Sequence, residues 1–305
     1  MITNELVIKK AGELGFDLVG FSKVEPIEKE IAHLNRWLNN GYNATMEYMA
    51  RNLEKRSDPK LILENAKSII SLGLNYYTNH HHQSKNNYGK VSRYAWGKDY
   101  HLVIWEKLAQ LEGFLKELDP GFKSKSYVDT GPVMDKVWAV KSGIGWLGKH
   151  SNVINQDIGS WFFIATIITN YEFESTMPIT DHCGTCTACI DACPTKAIVD
   201  NYIVDSNKCI SFLTIENKGE IAEEYKNKFD NWIFGCDICQ DVCPWNIKFS
   251  EISSIPDFEP KGNKELNIEE VLSMSNEEFK NRFETSPIYR AKLKGIQRNA
   301  TFIKK

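Results

Sequence analysis

The sequence predicts an α/β domain, followed by a cysteine-rich domain and a short helical C-terminal segment. Helical and strand-like periodicities alternate through residues 1–175, which is typical of an α/β layer. All eight cysteines fall within residues 176–250. Residues 251–305 begin with a linker that contains proline and glycine, and helical periodicity follows it. We therefore expect domain boundaries near residues 175 and 250.

The elements of the first segment follow from the spacing of apolar residues. Helical spacing occurs in residues 5–14, 27–38, 46–52, 100–118 and 134–142, and Pro120 stops the longest of these helices. Strand-like patterns occupy residues 16–22, 68–77, 127–129 and 160–169. The last pattern is apolar and rich in β-branched and aromatic residues, so it predicts a buried strand.

The later elements are shorter. One helical insert is predicted over residues 221–229, between the cysteine groups. A linker covers residues 250–262, and helices are expected over residues 268–274, 276–283 and 288–303.

Composition and charge exclude several classes of protein. A hydrophobic content of 42% with 25% charged residues indicates a globular chain and excludes a disordered one. The net charge of −3 gives no general sign of nucleic-acid binding. The longest apolar stretch, residues 158–171, is shorter than the roughly 20 residues that span a bilayer. No signal peptide is visible, so we expect a cytoplasmic protein without a membrane partner.

The cysteines form two groups with ferredoxin-type spacing. Two, two and three residues separate the cysteines of the first group, and Pro194 follows it; two and three residues separate those of the second, and Pro244 follows. In such runs the cysteine before proline ligates the other cluster. We therefore predict a first 4Fe-4S cluster on Cys183, Cys186, Cys189 and Cys243, and a second on Cys193, Cys209, Cys236 and Cys239.

Two four-cysteine zinc sites are the alternative interpretation. Zinc ribbons usually separate two C-x2-C knuckles by about 15–20 residues, whereas here four cysteines lie between Cys183 and Cys193. The spacing therefore favours iron–sulfur clusters, which pass single electrons. A plain electron carrier does not need the long segment before Cys183, so that segment is expected to hold the electron acceptor.

Three polar features of the first segment have two interpretations each. Asp129 ends a predicted strand, where it could be a proton donor with a pKa raised by burial, or a turn or cap residue. The glycine-rich residues 142–150 lack a nucleotide-binding motif, and they suit either close approach to a large flat ligand or tight turns. Residues His80, His81 and His82 could bind a metal or form a solvated loop.

Cations without intervening acids follow Glu284. This run could face phosphates or form a solvated helix face. It comprises Arg290, Lys292, Lys294, Arg298, Lys304 and Lys305.

An ordered set of motifs resembles the epoxyqueuosine reductases. The motifs are RYAWGKDYH at residues 93–101, VDTG at 128–131, GIGWLGK at 143–149, CISFLT at 209–214 and GCDIC at 235–239. The resemblance covers nearly the whole chain, as far as residues 297–300. Longer members continue into helical repeats of the HEAT type, whereas this sequence stops at Lys305, which leaves any tRNA contact of those repeats unaccounted for.

The resemblance implies a cobalamin-binding α/β domain joined to a ferredoxin-like domain with two 4Fe-4S clusters. It implies an oxidoreductase that reduces the epoxide of epoxyqueuosine, at the wobble position of tRNA, to the alkene of queuosine. This is the last step of queuosine synthesis. An external electron donor and a monomeric enzyme are expected with it. The basic C-terminal run could then replace part of the missing tRNA contact, in which case alanine substitutions there should weaken tRNA binding.

The resemblance also implies the site residues. Asp129 corresponds to the proposed catalytic acid beside the substrate, and no side chain is expected to ligate the cobalt from below. The expected cobalamin contacts are Arg56, Ser92, Asp129, Asp135, Lys136, Ser211 and Asp237.

Three other functions fit parts of the pattern. A cobalamin-dependent reductase of a small organohalide would use the same cofactors, but its respiratory forms usually carry a twin-arginine signal, and none is visible here. A ferredoxin-like electron carrier would hold clusters but no corrin. A nucleic-acid-binding protein structured by zinc would be colourless.

Overall fold

The computed structural model describes residues 2–83 and 87–304. The helices are α1 (Asn4–Glu13), α2 (Glu28–Asn39), α3 (Leu53–Ser57), α4 (Tyr100–Leu118), α5 (Asp135–Lys141), α6 (Ala188–Ala192), α7 (Ile210–Ile215), α8 (Ile238–Asp241), α9 (Pro244–Phe249), α10 (Ile268–Ser273), α11 (Asn276–Phe283) and α12 (Lys292–Ile303). The strands are β1 (Leu18–Lys23), β2 (Ser68–Asn75), β3 (Tyr88–Val91), β4 (Ser124–Tyr127), β5 (Trp146–Leu147), β6 (Val153–Ile154), β7 (Phe162–Thr169), β8 (Ile198–Asp200), β9 (Ile203–Val204), β10 (Trp232–Phe234) and β11 (Glu265–Asn267).

The main sheet has four strands in the order β1-β2-β7-β4, and every neighbouring pair is antiparallel. Strands β2 and β7 lie at its centre, where β2 is buried at all eight positions. The mixed helix and sheet architecture agrees with the prediction. The rule that ligands bind at the ends of parallel strands does not apply to this sheet, so the position of Asp129 needs another explanation.

Helices cover both faces of the main sheet. Ile70, Leu72 and Leu74 of β2 point to the face covered by α1 and α4. Ile69 points to the opposite face, where it packs with Trp138 of α5. Successive apolar side chains of β2 thus pack into the cores on the two faces of the sheet, as expected for a central strand. Helix α4 has the predicted bounds, because the Asp99 side chain accepts a hydrogen bond from the His101 N–H at its start and Pro120 follows its end.

A second core joins distant parts of the chain. Strand β3 pairs with β10 and with β11, and this small sheet packs against α7, α10 and α12. The buried Val91 and Trp96 belong to this core although both precede residue 175. The division into segments 1–175, 176–250 and 251–305 stays a prediction.

The structure corrects several local predictions. The predicted helix over 221–229 is only a 3-10 turn, Glu223–Tyr225, because Asn227, Asp230 and Asn231 take left-handed backbone conformations after it. A 3-10 turn, Glu47–Ala50, replaces the predicted helix over 46–52. The predicted helix over 288–303 is divided into a 3-10 turn, Pro287–Ala291, and α12.

Candidate active site

Three cavities are lined in part by cysteines. We call them the inner cavity, of 390 Å³, the outer cavity, of 650 Å³, and the cysteine pocket, of 170 Å³. The inner and outer cavities share five lining residues and are therefore contiguous: Tyr94, Lys136, Val204, Cys209 and Ser211. Cavities of this size suit a cofactor or a small-molecule ligand.

The cysteine pocket is lined by the four cysteines predicted for the first cluster, namely Cys183, Cys186, Cys189 and Cys243. Burial raises the pKa of Cys189 to about 11, and the thiols of Cys183, Cys243 and Cys186 add to the increase. The buried indole N–H of Trp146 lies beside Cys183. Burial raises the pKa of that thiol, and the backbone N–H of Lys149 and then the Trp146 N–H oppose this. A bound iron centre would supply the positive charge that these thiolates need.

The inner cavity is lined by the other four cysteines, Cys193, Cys209, Cys236 and Cys239. Burial raises the pKa of Cys239, and the thiols of Cys209 and Cys189 add to the increase, so the two cysteine sets lie close together. Among the described residues, no three His, Cys, Asp or Glu side chains converge closely enough to hold a single metal ion. Four thiols around a cavity fit a multi-atom cluster better than they fit one zinc ion.

Asp129 lines the outer cavity. Its backbone is left-handed, with φ of 60°, and 60% of its side chain is exposed, so the protein alone does not bury this carboxylate. The Tyr100 hydroxyl donates a hydrogen bond to Oδ2, and His101 Nε2 lies 4.0 Å from the same oxygen. Burial, followed by the charge of Asp129, raises the pKa of Tyr100, which keeps its hydroxyl a donor. The start of α4 therefore orients Asp129.

Lys136 and Ser211 line both the inner and the outer cavity. The Lys136 ammonium donates hydrogen bonds to Ser151 O at 2.7 Å and to Asn152 Oδ1 at 3.0 Å. A cation and a hydroxyl at the junction of the two cavities fit the amide-rich edge of a corrin.

Ser92 also lines the inner cavity, but its hydroxyl donates to Asp237. The second oxygen of Asp237 accepts the backbone N–H of Arg93 at 2.7 Å. Burial raises the pKa of Asp237 to about 7, and nearby Asp241 adds to the increase. Asp237 thus orients Ser92, and a direct contact of Asp237 with cobalamin stays a prediction.

Arg56 and Asp135 lie behind the lining of these cavities. Arg56 donates hydrogen bonds to Arg51 O and Tyr48 O, both at 3.2 Å, and Tyr48 lines the outer cavity. Asp135 accepts a hydrogen bond of 2.6 Å from Thr166 of β7, and burial raises its pKa to about 7. Arg56 also donates to Val133 O at 3.5 Å, between Asp129 and α5, and Asp135 begins α5. Direct cofactor contacts of Arg56 and Asp135 stay predictions.

His150 has a buried ring nitrogen without a partner. Its Nδ1 accepts the backbone N–H of Asn152 at 3.2 Å, so Nε2 carries the proton, yet Nε2 has no acceptor among the described residues. Burial lowers the pKa of His150 to about 4, and Lys136 contributes to the decrease, so the ring is neutral. His150 lines both the inner cavity and the cysteine pocket, where a bound cofactor could supply the missing acceptor.

The other polar groups singled out in the sequence do not converge. His80 pairs with Glu259 at 2.8 Å, and His82 contacts Val91 O at 3.0 Å, so the histidine run forms no common metal site. In the glycine-rich segment, a Cβ on Gly145 would lie 2.4 Å from Ile154 O, so this glycine allows close contact between backbones.

Three of the cations near the C-terminus make separate contacts within the protein. Arg298 donates hydrogen bonds to the carbonyls of Leu213, Asn217 and Gly219, and it therefore stabilises the turn after α7. Lys304 pairs with Glu269 at 2.9 Å. Arg290 alone of these three lines the outer cavity, where it pairs with Glu216 at 2.6 Å. Lys305 lies outside the described residues.

Comparisons with known proteins agree with this geometry. Residues 56–130 match the family model described as epoxyqueuosine reductase QueG, DUF1730, and residues 182–246 match a 4Fe-4S double cluster binding domain. The epoxyqueuosine reductase of Cellulophaga algicola is 48% identical over 302 residues, which cover 99% of this chain and 98% of the relative. The chain belongs to the epoxyqueuosine reductase family.

Further relatives in this family support the assignment. The epoxyqueuosine reductase of Leadbetterella byssophila is 48% identical and covers 96% of each chain. A crystal structure of an epoxyqueuosine reductase with an epoxyqueuosine-modified tRNA-Tyr stem loop has a TM-score of 0.92 and 37% identity, covering 98% of this chain and 80% of the solved one. No helix in the described part of the chain is both long and apolar enough to cross a membrane.

Sequence reasoning missed several residues of this family member's outer cavity. Tyr48, Glu216 and Tyr289 line it and come from segments far apart in the chain. Tyr100 and His101 were visible only as part of the motif at residues 93–101, which was expected to hold the corrin, and neither was given a role of its own. The sequence offered one signal for them: they directly follow Asp99, the capping residue of α4. A capped helix start holds its first side chains in a defined position.

Proposed function

We propose that this protein reduces the epoxide of epoxyqueuosine in tRNA to the alkene of queuosine. The observation that carries the proposal is the 48% identity to an epoxyqueuosine reductase over 99% of the chain. The solved relative with a modified tRNA stem loop supports tRNA as the substrate. The reaction takes two electrons and two protons, and the epoxide oxygen leaves as water.

The proposal assigns two 4Fe-4S clusters to the two cysteine sets. Cys183, Cys186, Cys189 and Cys243 would hold the first cluster in the cysteine pocket. Cys193, Cys209, Cys236 and Cys239 would hold the second at the inner cavity. Because the two sets are adjacent, electrons from an external donor could pass between the clusters one at a time.

Cobalamin is proposed to lie beside the second cluster, across the junction of the inner and outer cavities. Lys136 and Ser211 at this junction and Ser92 in the inner cavity would hold the corrin, while Asp237 orients Ser92. The His150 Nε2–H would donate to the bound group. Reduced cobalt supplies a nucleophile or one-electron donor that side chains lack.

The outer cavity is proposed to receive the modified base, with Asp129 as the proton donor. Asp129 lies on its wall, and the inner cavity opens beside it. The Tyr100 hydroxyl holds Oδ2, which leaves Oδ1 to deliver a proton to the departing epoxide oxygen. Substrate that covers this exposed carboxylate would supply the burial that the free protein lacks.

Nucleoside mass spectrometry tests the proposed reaction. Protein reconstituted with iron, sulfide and cobalamin would be incubated anaerobically with epoxyqueuosine-containing tRNA and a strong reductant. The expected product is queuosine, which has one oxygen atom fewer. Protein that binds both clusters and corrin but converts no tRNA would refute the proposed substrate, and a small-molecule reductase would then be favoured. Protein that binds clusters but never corrin would favour an electron carrier.

Iron analysis of C186S tests the assignment of the clusters. This variant should lose the first cluster and keep the second, because Cys186 lines only the cysteine pocket. C236S should lose the second cluster and keep the first. Loss of both clusters from correctly folded C186S would contradict the division into two independent sets.

A further inference from the structure

Lys149 lies beside the cysteine pocket and is almost fully buried, with 6% of its surface exposed. Its ammonium donates hydrogen bonds to Gly184 O at 2.7 Å and to Cys186 O at 2.9 Å. Both acceptors lie in the loop that connects Cys183 with Cys189. One side chain thus fixes the loop that carries three of the four cysteines of the pocket.

The charge of Lys149 is poorly neutralised. None of the ion pairs within 4.0 Å that the described residues form includes Lys149. The nearby carboxylate of Asp181 accepts hydrogen bonds from the Tyr202 hydroxyl and, at 2.7 Å, from the Cys183 N–H. Asp181 is exposed to solvent, which screens its charge, whereas the ammonium of Lys149 is shielded from solvent.

The backbone of Lys149 also faces the pocket. Its N–H donates a hydrogen bond to the Cys183 sulfur. Both the ammonium and the amide of Lys149 therefore favour negative charge in the pocket. Cluster potentials depend on net charge and on hydrogen bonds to the sulfurs.

We propose that Lys149 sets the reduction potential of the first cluster through its buried positive charge. The proposal rests on the proposed function, because that function assigns the cluster to the cysteine pocket. Reduction adds one electron to the cluster, and a fixed cation beside it stabilises the added charge. Lys149 is a positioning residue, since it touches the loop that carries the cysteines and not the substrate.

Potentiometric titration monitored by EPR tests the proposal on protein loaded with both clusters. K149Q removes the charge but retains an N–H donor for Gly184 O and Cys186 O, whereas K149R retains the charge. The matched control is K208Q: Lys208 adjoins Cys209, a ligand assigned to the second cluster, but 43% of its side chain is exposed and it pairs with Asp205 at 3.3 Å. No tRNA or cobalamin is required.

The midpoint potential of the first cluster should become more negative in K149Q, and that of the second should stay unchanged. K149R and K208Q should keep both wild-type midpoints. C186S, which retains only the second cluster, identifies its signal. A cluster lost from K149Q but kept at its wild-type midpoint in K149R would also support the proposal, because the two variants differ in charge.

Three results would overturn the proposal. The first is a K149Q protein with both clusters bound and unchanged midpoint potentials. The second is a K149Q shift in midpoint potential that is confined to the second cluster, the one that survives in C186S. The third is loss of the first cluster from K149R as well as from K149Q. Failure of the proposed function can be distinguished from failure of this proposal. If only the proposed function is wrong, wild-type protein converts no tRNA, but K149Q still shifts the midpoint potential of the first cluster.

Discussion

Replacing Asp129 with asparagine should slow epoxide reduction far more than replacing Tyr100 with phenylalanine. Asparagine keeps an oxygen that can accept the Tyr100 hydrogen bond but has no acidic proton to deliver. A positioned general acid contributes roughly 10²–10⁴-fold to a rate, which corresponds to about 3–5 kcal/mol of the barrier. D129N should therefore lose at least about 100-fold in single-turnover rate.

Tyr100→Phe removes only the hydrogen bond that orients Asp129. Hydrogen bonds to charged groups contribute about 1.5–3 kcal/mol. Because 60% of the Asp129 side chain is exposed, solvent screening reduces this contribution to about 1 kcal/mol. The expected loss is about fivefold in rate.

Anaerobic single-turnover conversion of epoxyqueuosine-containing tRNA, followed by nucleoside mass spectrometry, measures both rates. Iron content should match the wild type in both variants, because neither residue lines the cysteine pocket or the inner cavity. Rates are compared at equal corrin content, measured by absorbance. A D129N rate within threefold of the wild type would refute the assignment of the acid. A Y100F rate as low as that of D129N would show that Tyr100 itself supplies the proton.

Three further predictions concern stability. Gly97→Ala should lower the urea midpoint by the equivalent of about 1–3 kcal/mol, because its Cβ would lie 2.1 Å from Asp257 O. In cofactor-free protein, the free energy of unfolding should fall as the pH rises from about 4 to about 7. The reason is that folded Asp237, with a pKa raised to about 7, retains a proton that the unfolded chain releases near 3.8. Urea titrations of D237N should show a shallower fall over the same pH range. Arg298→Ala should lower the thermal midpoint, because the carbonyls of the turn after α7 lose their donor, and an unchanged midpoint would restore an interpretation as a free tRNA-binding cation.

Local signals predicted the elements that local chemistry determines. Helix α4 has the predicted bounds because Asp99 caps its start and Pro120 follows its end. Strand β7 was predictable because an apolar run of eight residues suits only the centre of a sheet. The cysteine spacing likewise predicted two sets of four, and the same sets line two separate cavities.

The sequence did not predict which strands pair when they lie far apart in the chain. Strand β3 has four residues, and its partners β10 and β11 lie far along the chain. The direction of the main sheet also depends on long-range pairing, so alternating periodicity did not reveal that its strands are antiparallel. The outer cavity was incompletely predicted for the same reason, since Tyr48, Glu216 and Arg290 meet only in the folded chain.

Leaving cobalamin out of the reaction tests whether epoxide reduction by this protein depends on the corrin. Protein with both clusters reconstituted would be divided, and cobalamin would be added to one half before anaerobic incubation with reductant and epoxyqueuosine-containing tRNA. Queuosine, one oxygen lighter than the substrate, should form only in the half with cobalamin, and D129N in place of the wild type should form it at least about 100-fold more slowly. Equal conversion with and without added cobalamin would show that the corrin takes no part in epoxide reduction.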